Sequence, residues 1–152
     1  MSDENKVILS ANALQITKGE HRALLEIRNL FANGVFKHDP DSNADHPDGF
    51  NMDHAERSTD CGTTCCIGGW MWAALSRDRA TTSICAGYYV NSDRSPSLRP
   101  LFYPDHDDID DMAYSDITPA AALVAIDSFL ATGDPDWARA VGADQAIEVR
   151  PA

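Results

Sequence analysis

The chain has 152 residues, 43% of them hydrophobic, and its 24 Asp and Glu outweigh its 12 Lys and Arg to give a formal net charge of −12. That length and apolar content suit one domain with a sizeable core. The charge argues against direct binding to a nucleic-acid backbone, which needs clustered Lys and Arg. It allows solubility, attraction to a basic protein surface, or mimicry of nucleic acid. No apolar run reaches the roughly 18 residues of a membrane span, so none is expected. The polar start, Met1 to Lys6, has no basic segment followed by an apolar one, so no secretory signal is expected. The cytoplasm follows, where the four cysteines stay mostly reduced.

In chain order, residues 1 to 6 read as a frayed tail. Val7-Ile8-Leu9 and Leu14-Gln15-Ile16 are short apolar patches, either a strand or a lead-in to the first helix. Thr17-Lys18-Gly19-Glu20 is a capping box, with Thr17 as N-cap and Glu20 three residues on. The helix it opens carries Ala23, Leu24, Ile27, Leu30 and Phe31 at helical spacing and stops at Asn33-Gly34. His21 is expected on its solvent side.

Residues 37 to 60 read as a long polar loop with His38, His46 and His54 and a run of aspartates. Alternating Asp39, Asp41, Asn43 and Asp45 offers oxygen ligands of the calcium-loop type. The pattern then breaks: Ala44 stands where glycine is wanted at the sharp turn, and Phe50 where a bidentate Glu belongs. A solvated loop of Asp, Asn, Pro and Gly turns is the simpler reading. Phe50 and Met52 anchor its end to the core.

The stretch from Asp60 to Ser76 holds three of the four cysteines, two of the three tryptophans and the longest apolar run. A segment apolar all round is a buried helix, here from about Thr63 to Ser76, with Asp60 or Thr63 able to cap its start. Gly68 and Gly69 each cost a helix about 1 kcal/mol and imply close approach of a neighbouring backbone. Cys61 lies just before this helix, where the amide N–H groups and the dipole lower a thiol pKa. As a nucleophile it needs a base: His106 lies downstream and His54 upstream. Cys65 and Cys66 read as small core residues. A zinc site from Cys61, Cys65 or Cys66, Cys85 and a histidine is a further alternative, although the spacing is not that of paired C-x2-C sites.

Beyond the central stretch, Arg77 and Arg79 suit the helix C-terminus. Cys85 to Val90 is the best extended candidate, and residues 95 to 104 form a short helical turn that packs Leu98, Leu101 and Phe102. Asp105-His106-Asp107-Asp108-Ile109-Asp110-Asp111 is an acidic cluster without Lys or Arg. Carboxylates this dense need solvent, a cation or a basic partner. Ile109, Met112 and Tyr114 tuck it against the core. Thr118 caps the last long helix with Pro119 at its first position. Ala121, Ala122, Val124, Ala125, Ile126, Phe129 and Leu130 give it a wide apolar face, and Thr132-Gly133 stops it. Asp134-Pro135-Asp136-Trp137 repeats the cap-then-proline pattern, and the chain trails from Val141.

Two resemblances rest on these residues. Asp60-Cys61-Gly62 before a buried helix resembles the nucleophile turn of papain-like cysteine peptidases and their bacteriocin-processing relatives, over those few residues only. Phe50-Asn51-Met52, Cys61-Gly62-Thr63, Cys65, Ile67 and Gly69-Trp70, with Ile117-Thr118-Pro119 and Ala121-Ala122, resemble a loose set of small uncharacterised proteins of bacteriophages, prophages and some bacteria. That likeness spans roughly residues 17 to 138, with Ala55 where a tryptophan often follows. It implies a small intracellular domain and carries no activity.

The expectation is a mainly α, compact single domain: a buried central helix flanked by helices near Thr17–Asn33 and Thr118–Ala131, with a minor β element or an α+β arrangement as the alternative. The leading functional expectation is a non-enzymatic, phage-type accessory binding protein. Its acidic loops, with Asp105, Asp107, Asp108, Asp110 and Asp111 foremost, contact a protein partner with a basic surface. The alternatives are a cysteine-nucleophile hydrolase using Cys61 with His106 or His54, and a domain stabilised by zinc or calcium. No cofactor is expected under the leading reading.

Overall fold

The structure is a computed structural model, and it describes residues 8–53, 57–58, 62–76 and 96–142. Within these the chain is mainly α with a minor β component. Ser10 opens a short first helix, α1 (Ala11–Leu14), by accepting the Ala13 N–H on its Oγ at 3.0 Å. The capping box then forms as its residues dictate. Thr17 Oγ1 accepts the Glu20 N–H and Glu20 Oε1 accepts the Thr17 N–H, both at 3.0 Å, at the start of α2 (Lys18–Ala32). Ala23, Leu24, Ile27 and Phe31 are buried, the stripe that period 3.6 lays on one face. Gly34, at φ +72°, turns the chain out of the helix at no Cβ penalty. His21 is not on the solvent side: it is half-buried, with Nε2 2.9 Å from the Leu9 carbonyl. The Leu9 N–H in turn donates to the Leu130 carbonyl at 2.8 Å, tying the chain start to a distant helix.

The polar stretch after α2 is not a plain loop. It contributes β1 (Lys37–His38), β2 (Gly49–Phe50) and β3 (Arg57–Ser58), which join β4 (Thr63–Cys65) in one sheet of order β1-β2-β4-β3. β1, β2 and β4 are parallel and β3 is antiparallel to β4, with Lys37 opposite Gly49 and Phe50 opposite Cys65. The next helix therefore starts later than the apolar run suggests: α3 spans Ile67–Ser76. Thr63 and Thr64 are β-branched and fit a pleated surface. With its backbone paired in the sheet, Thr63 does not cap the helix, and Asp60 lies outside the described residues. Cys66 holds that place, its carbonyl accepting the Trp70 N–H at 2.9 Å and its Sγ the Gly69 N–H at 3.4 Å.

α2 packs against both α3 and the last long helix, α5 (Pro119–Thr132), and so occupies the middle position the sequence reading gave to α3. In α3, Ile67 and Met71 are fully buried and Ala73 is exposed. α5 is capped by Thr118, whose Oγ1 accepts the Ala121 N–H at 3.1 Å, and ends at Gly133 with φ +87°. Ala121, Ala122 and Ala125 are buried on it with Ile126, Phe129 and Leu130. Arg28 of α2 grips Asp127 of α5 through Nε at 2.8 Å and Nη2 at 3.3 Å.

An aromatic group ties helices to sheet. Phe31 meets Phe36 at 4.5 Å and the edge of Phe50 at 5.2 Å, and Phe36 meets Trp70 at 4.9 Å. Trp70 Nε1 donates to the Gly49 carbonyl at 2.9 Å, which satisfies the one polar atom of its ring. A 3-10 turn (Pro96–Leu98) leads into α4 (Arg99–Phe102), with Leu98, Leu101 and Phe102 buried as expected. The final helix, α6 over 137–142, starts two residues later than Asp134-Pro135 suggests. Asp134 Oδ1 instead accepts the Asp136 N–H at 3.0 Å, and the Asp136 carbonyl accepts the first helical bonds. Trp137 packs inward and donates to the Pro100 carbonyl at 3.0 Å. The extended element expected at residues 85 to 90 lies outside the described residues.

Candidate functional site

The acidic cluster forms a compact turn held by backbone bonds and by the Asp105 carboxylate, whose Oδ1 accepts the Asp107 N–H at 2.9 Å. The Asp105 carbonyl accepts the Asp108 N–H at 2.9 Å and the Ile109 N–H at 3.2 Å, and the His106 carbonyl accepts the Asp111 N–H at 2.8 Å. Ile109 is fully buried and pins the turn to the core, while Asp105, Asp107, Asp108, Asp110 and Asp111 are all exposed. Asp110 and Asp111 both adopt left-handed backbone, at φ 57° and 59°, a conformation Asp tolerates better than most residues. The turn therefore fans five carboxylates into solvent from a single anchored isoleucine. Beside it, Tyr114 donates its hydroxyl to the Pro104 carbonyl, and the His106 ring stacks on the Tyr114 ring at 5.6 Å.

The second acidic loop runs from His38 of β1 through the connection to β2 and on to Asp53, just past that strand. Asp39 organises it. Its Oδ1 accepts the Asn43 N–H at 2.9 Å, and its Oδ2 accepts the Ala44 N–H at 2.8 Å and the Thr64 hydroxyl at 2.6 Å. Burial works to raise this carboxyl. The hydrogen bonds from Thr64, Ala44 and Asn43, with the nearby His38, together outweigh it and hold the group below its ordinary value. Asn51, only 1% exposed, donates to the Asp39 carbonyl at 2.9 Å and to Ser42 Oγ at 2.8 Å, and accepts the Asp53 N–H at 2.8 Å. Of the four residues proposed as calcium ligands, Asp39 thus has both oxygens engaged by protein donors. Asp41, Asn43 and Asp45 are exposed around it.

The two loops meet at Tyr114. His38 Nε2 lies 2.9 Å from the Ser115 carbonyl. The Tyr114 hydroxyl is pushed above its ordinary pKa by burial first, then by the charge of Asp105, by Tyr103 and by Asp53. Asp53 from one loop and Asp105 from the other thus act on the same hydroxyl, with β1 bonded across to the turn that carries it. Next to this face, Arg99, Tyr103, Asp105, Asp108, Asp134 and Trp137 line a groove of about 510 Å³. Within it the Arg99 guanidinium lies 5.5 Å from the centre of the Tyr103 ring.

The cysteine reading fares differently. Cys61 and His54 lie outside the described residues, as does Cys85, while His106 is engaged with Tyr114. Ile67, the first residue of α3, comes six positions after Cys61, and at that helix end the Gly69 N–H donates to Cys66 Sγ. Cys65 and Cys66 are buried thiols outside any disulfide. Burial pushes the Cys66 thiol up, against the pull of the Gly69 and Gly68 N–H groups, so it is not the low-pKa thiolate that a nucleophile requires. Among the described residues, no three His, Cys, Asp or Glu side chains stand together so as to hold a metal ion. None of the described helices is long and apolar enough to cross a membrane.

Sequence reasoning missed Asn51 and Thr64, and expected Tyr114 only to tuck the acidic cluster against the core, not to stand between the two loops. Asn51 carried a signal, a polar residue between Phe50 and Met52 in an apolar anchor. Thr64 carried none, because its role depends on a contact distant in sequence. In three comparisons, no protein-family model, no curated protein and no solved structure matched the chain.

Proposed function

We propose that this chain is a non-enzymatic binding protein, acting in the cytoplasm as an accessory factor of the phage type, whose acidic face docks a protein partner with a basic surface. The observation that carries the reading is the meeting of the two acidic loops at Tyr114 and Ser115, joined by the His38 bond to Ser115 and by the common action of Asp53 and Asp105 on one hydroxyl. Separately, each loop is an ordinary solvated turn. On this reading the joined loops concentrate the negative charge of a chain whose net charge is −12, which steers and orients a basic partner more than it adds raw affinity. The side chains around that face include aromatic anchors, Tyr103 and Tyr114, of the type enriched at binding interfaces. On this reading the chain acts as one domain, with α3 as part of the scaffold behind the face.

The test is charge reversal. Asp107, Asp108, Asp110 and Asp111 are replaced by Lys, and proteins cross-linked to the wild type and to the variant in cells are identified. The expected result is one or a few basic partners that cross-link to the wild type and are lost from the variant while its circular dichroism is unchanged. An unchanged set of partners in the folded variant rules the surface out.

A further inference from the structure

We propose that residues 39–48 form a strap, clasped over β4 by the Asp39 carboxylate, that opens as a unit while the helices stay folded. The inference stands on the strap's own geometry and does not depend on the binding reading.

The strap joins two parallel strands that are in register with each other. Its ends are fixed by the Lys37 N–H donating to the Asp48 carbonyl and the Asp39 N–H donating to the Phe50 carbonyl, both at 2.9 Å. Between those ends it buries almost no apolar surface: of residues 39–48, Ala44 alone is buried. Closure therefore rests on polar bonds, and several of them converge on Asp39. Two amides and the Thr64 hydroxyl donate to its carboxylate, and its carbonyl accepts the Ser42 N–H at 3.0 Å and the Asn51 amide at 2.9 Å. Further along, the Asn51 amide also donates to Ser42 Oγ at 2.8 Å, and the Thr63 N–H to the His46 carbonyl at 2.8 Å.

The closed form also stores strain. Ser42 and Ala44 sit at φ 56° and 54°, left-handed backbone that is unfavourable for a residue with a Cβ. The fit to the strand is close. A Cβ at Gly62 would overlap the backbone of His46, and one at Gly49 would overlap the Thr64 side chain. A strained segment with little buried apolar area, held by bonds that share one carboxylate, is drawn from the low-stability end of a fold. Closed, it covers the fully buried Thr64; opened, it uncovers the Gly62–Thr64 backbone.

Native-state hydrogen exchange tests this directly. In the wild-type protein, the amides of Asn43, Ala44 and Thr63 are expected to exchange faster than those of α2 and α5 and with little dependence on urea, the mark of local opening. In Asp39→Ala the same three amides are expected to exchange roughly 10- to 100-fold faster, since each loses a charge-assisted bond or depends on one, with α2 and α5 unchanged. Thr64→Val, which keeps the side-chain volume and removes the donor, is expected to give a smaller acceleration at the same amides. The proposal is overturned if strap and helix amides share one rate and one urea dependence in the wild type. It is also overturned if Asp39→Ala leaves the three amides unchanged or accelerates every amide by the same factor.

Discussion

Asp39 is the residue at which sequence and structure part most sharply. Its place at the head of an alternating Asp and Asn series suggests a metal ligand, yet its carboxylate faces inward to Thr64 and two loop amides. The consequence for stability has a definite sign. A carboxyl held below its ordinary 3.8 in the folded state contributes stability that is whole above the unfolded value and lost as pH falls through the folded one. The difference in denaturation midpoint between wild type and Asp39→Ala should therefore be constant from about pH 7 to about pH 5 and shrink progressively as pH falls further. A difference that persists unchanged to about pH 2.5 would mean that the charge of Asp39 does not hold the loop. Thr17 offers a second check at this scale. Its hydroxyl completes a reciprocal cap, so Thr17→Ala should lower stability by about 1 kcal/mol in urea unfolding. The Glu20 amide should show the largest local loss of protection.

At the scale of elements, α2 and α5 were legible because their signals are local. Thr17 with Glu20, Thr118 with Pro119, and the terminal Gly34 and Gly133 each act within a turn of the residue that declares them. The sheet was not legible, because strands of two or three residues are too short to display an alternation. Thr63 to Cys65 was absorbed into the helical run for the same reason. What makes it a strand is pairing with Gly49–Phe50 and Arg57–Ser58, which no local pattern announces. Cys66 then inherits the helix start that spacing had assigned nearer to Cys61. The close approach at Gly62 gives this element a test. Gly62→Ala must displace the His46 backbone, and overpacking of that kind costs typically 1–3 kcal/mol. Its signature should be faster exchange at Thr63, together with a lower melting temperature. Melting at the wild-type temperature would show that the strap does not rest on the strand.

For the whole molecule, the charge excess was legible from composition alone, while its arrangement was not. The contact that joins the two acidic loops runs between His38 and Ser115, 77 positions apart. The Asp39 contact to Thr64 spans 25. Both are set by how α2, α3 and α5 pack, which local propensity does not encode. Convergence turns a diffuse property, net charge, into a located one, and the binding account depends on it. A titration of isotope-labelled protein with a ten-lysine peptide, followed by amide chemical shifts at low and at physiological salt, tests that point most directly. The account predicts saturable shifts concentrated at residues 38–53 and 105–116, strongest around Tyr114 and weakened by salt. Shifts of equal size at acidic side chains elsewhere, such as Glu26 and Asp136, or no saturable shift at all, would contradict it.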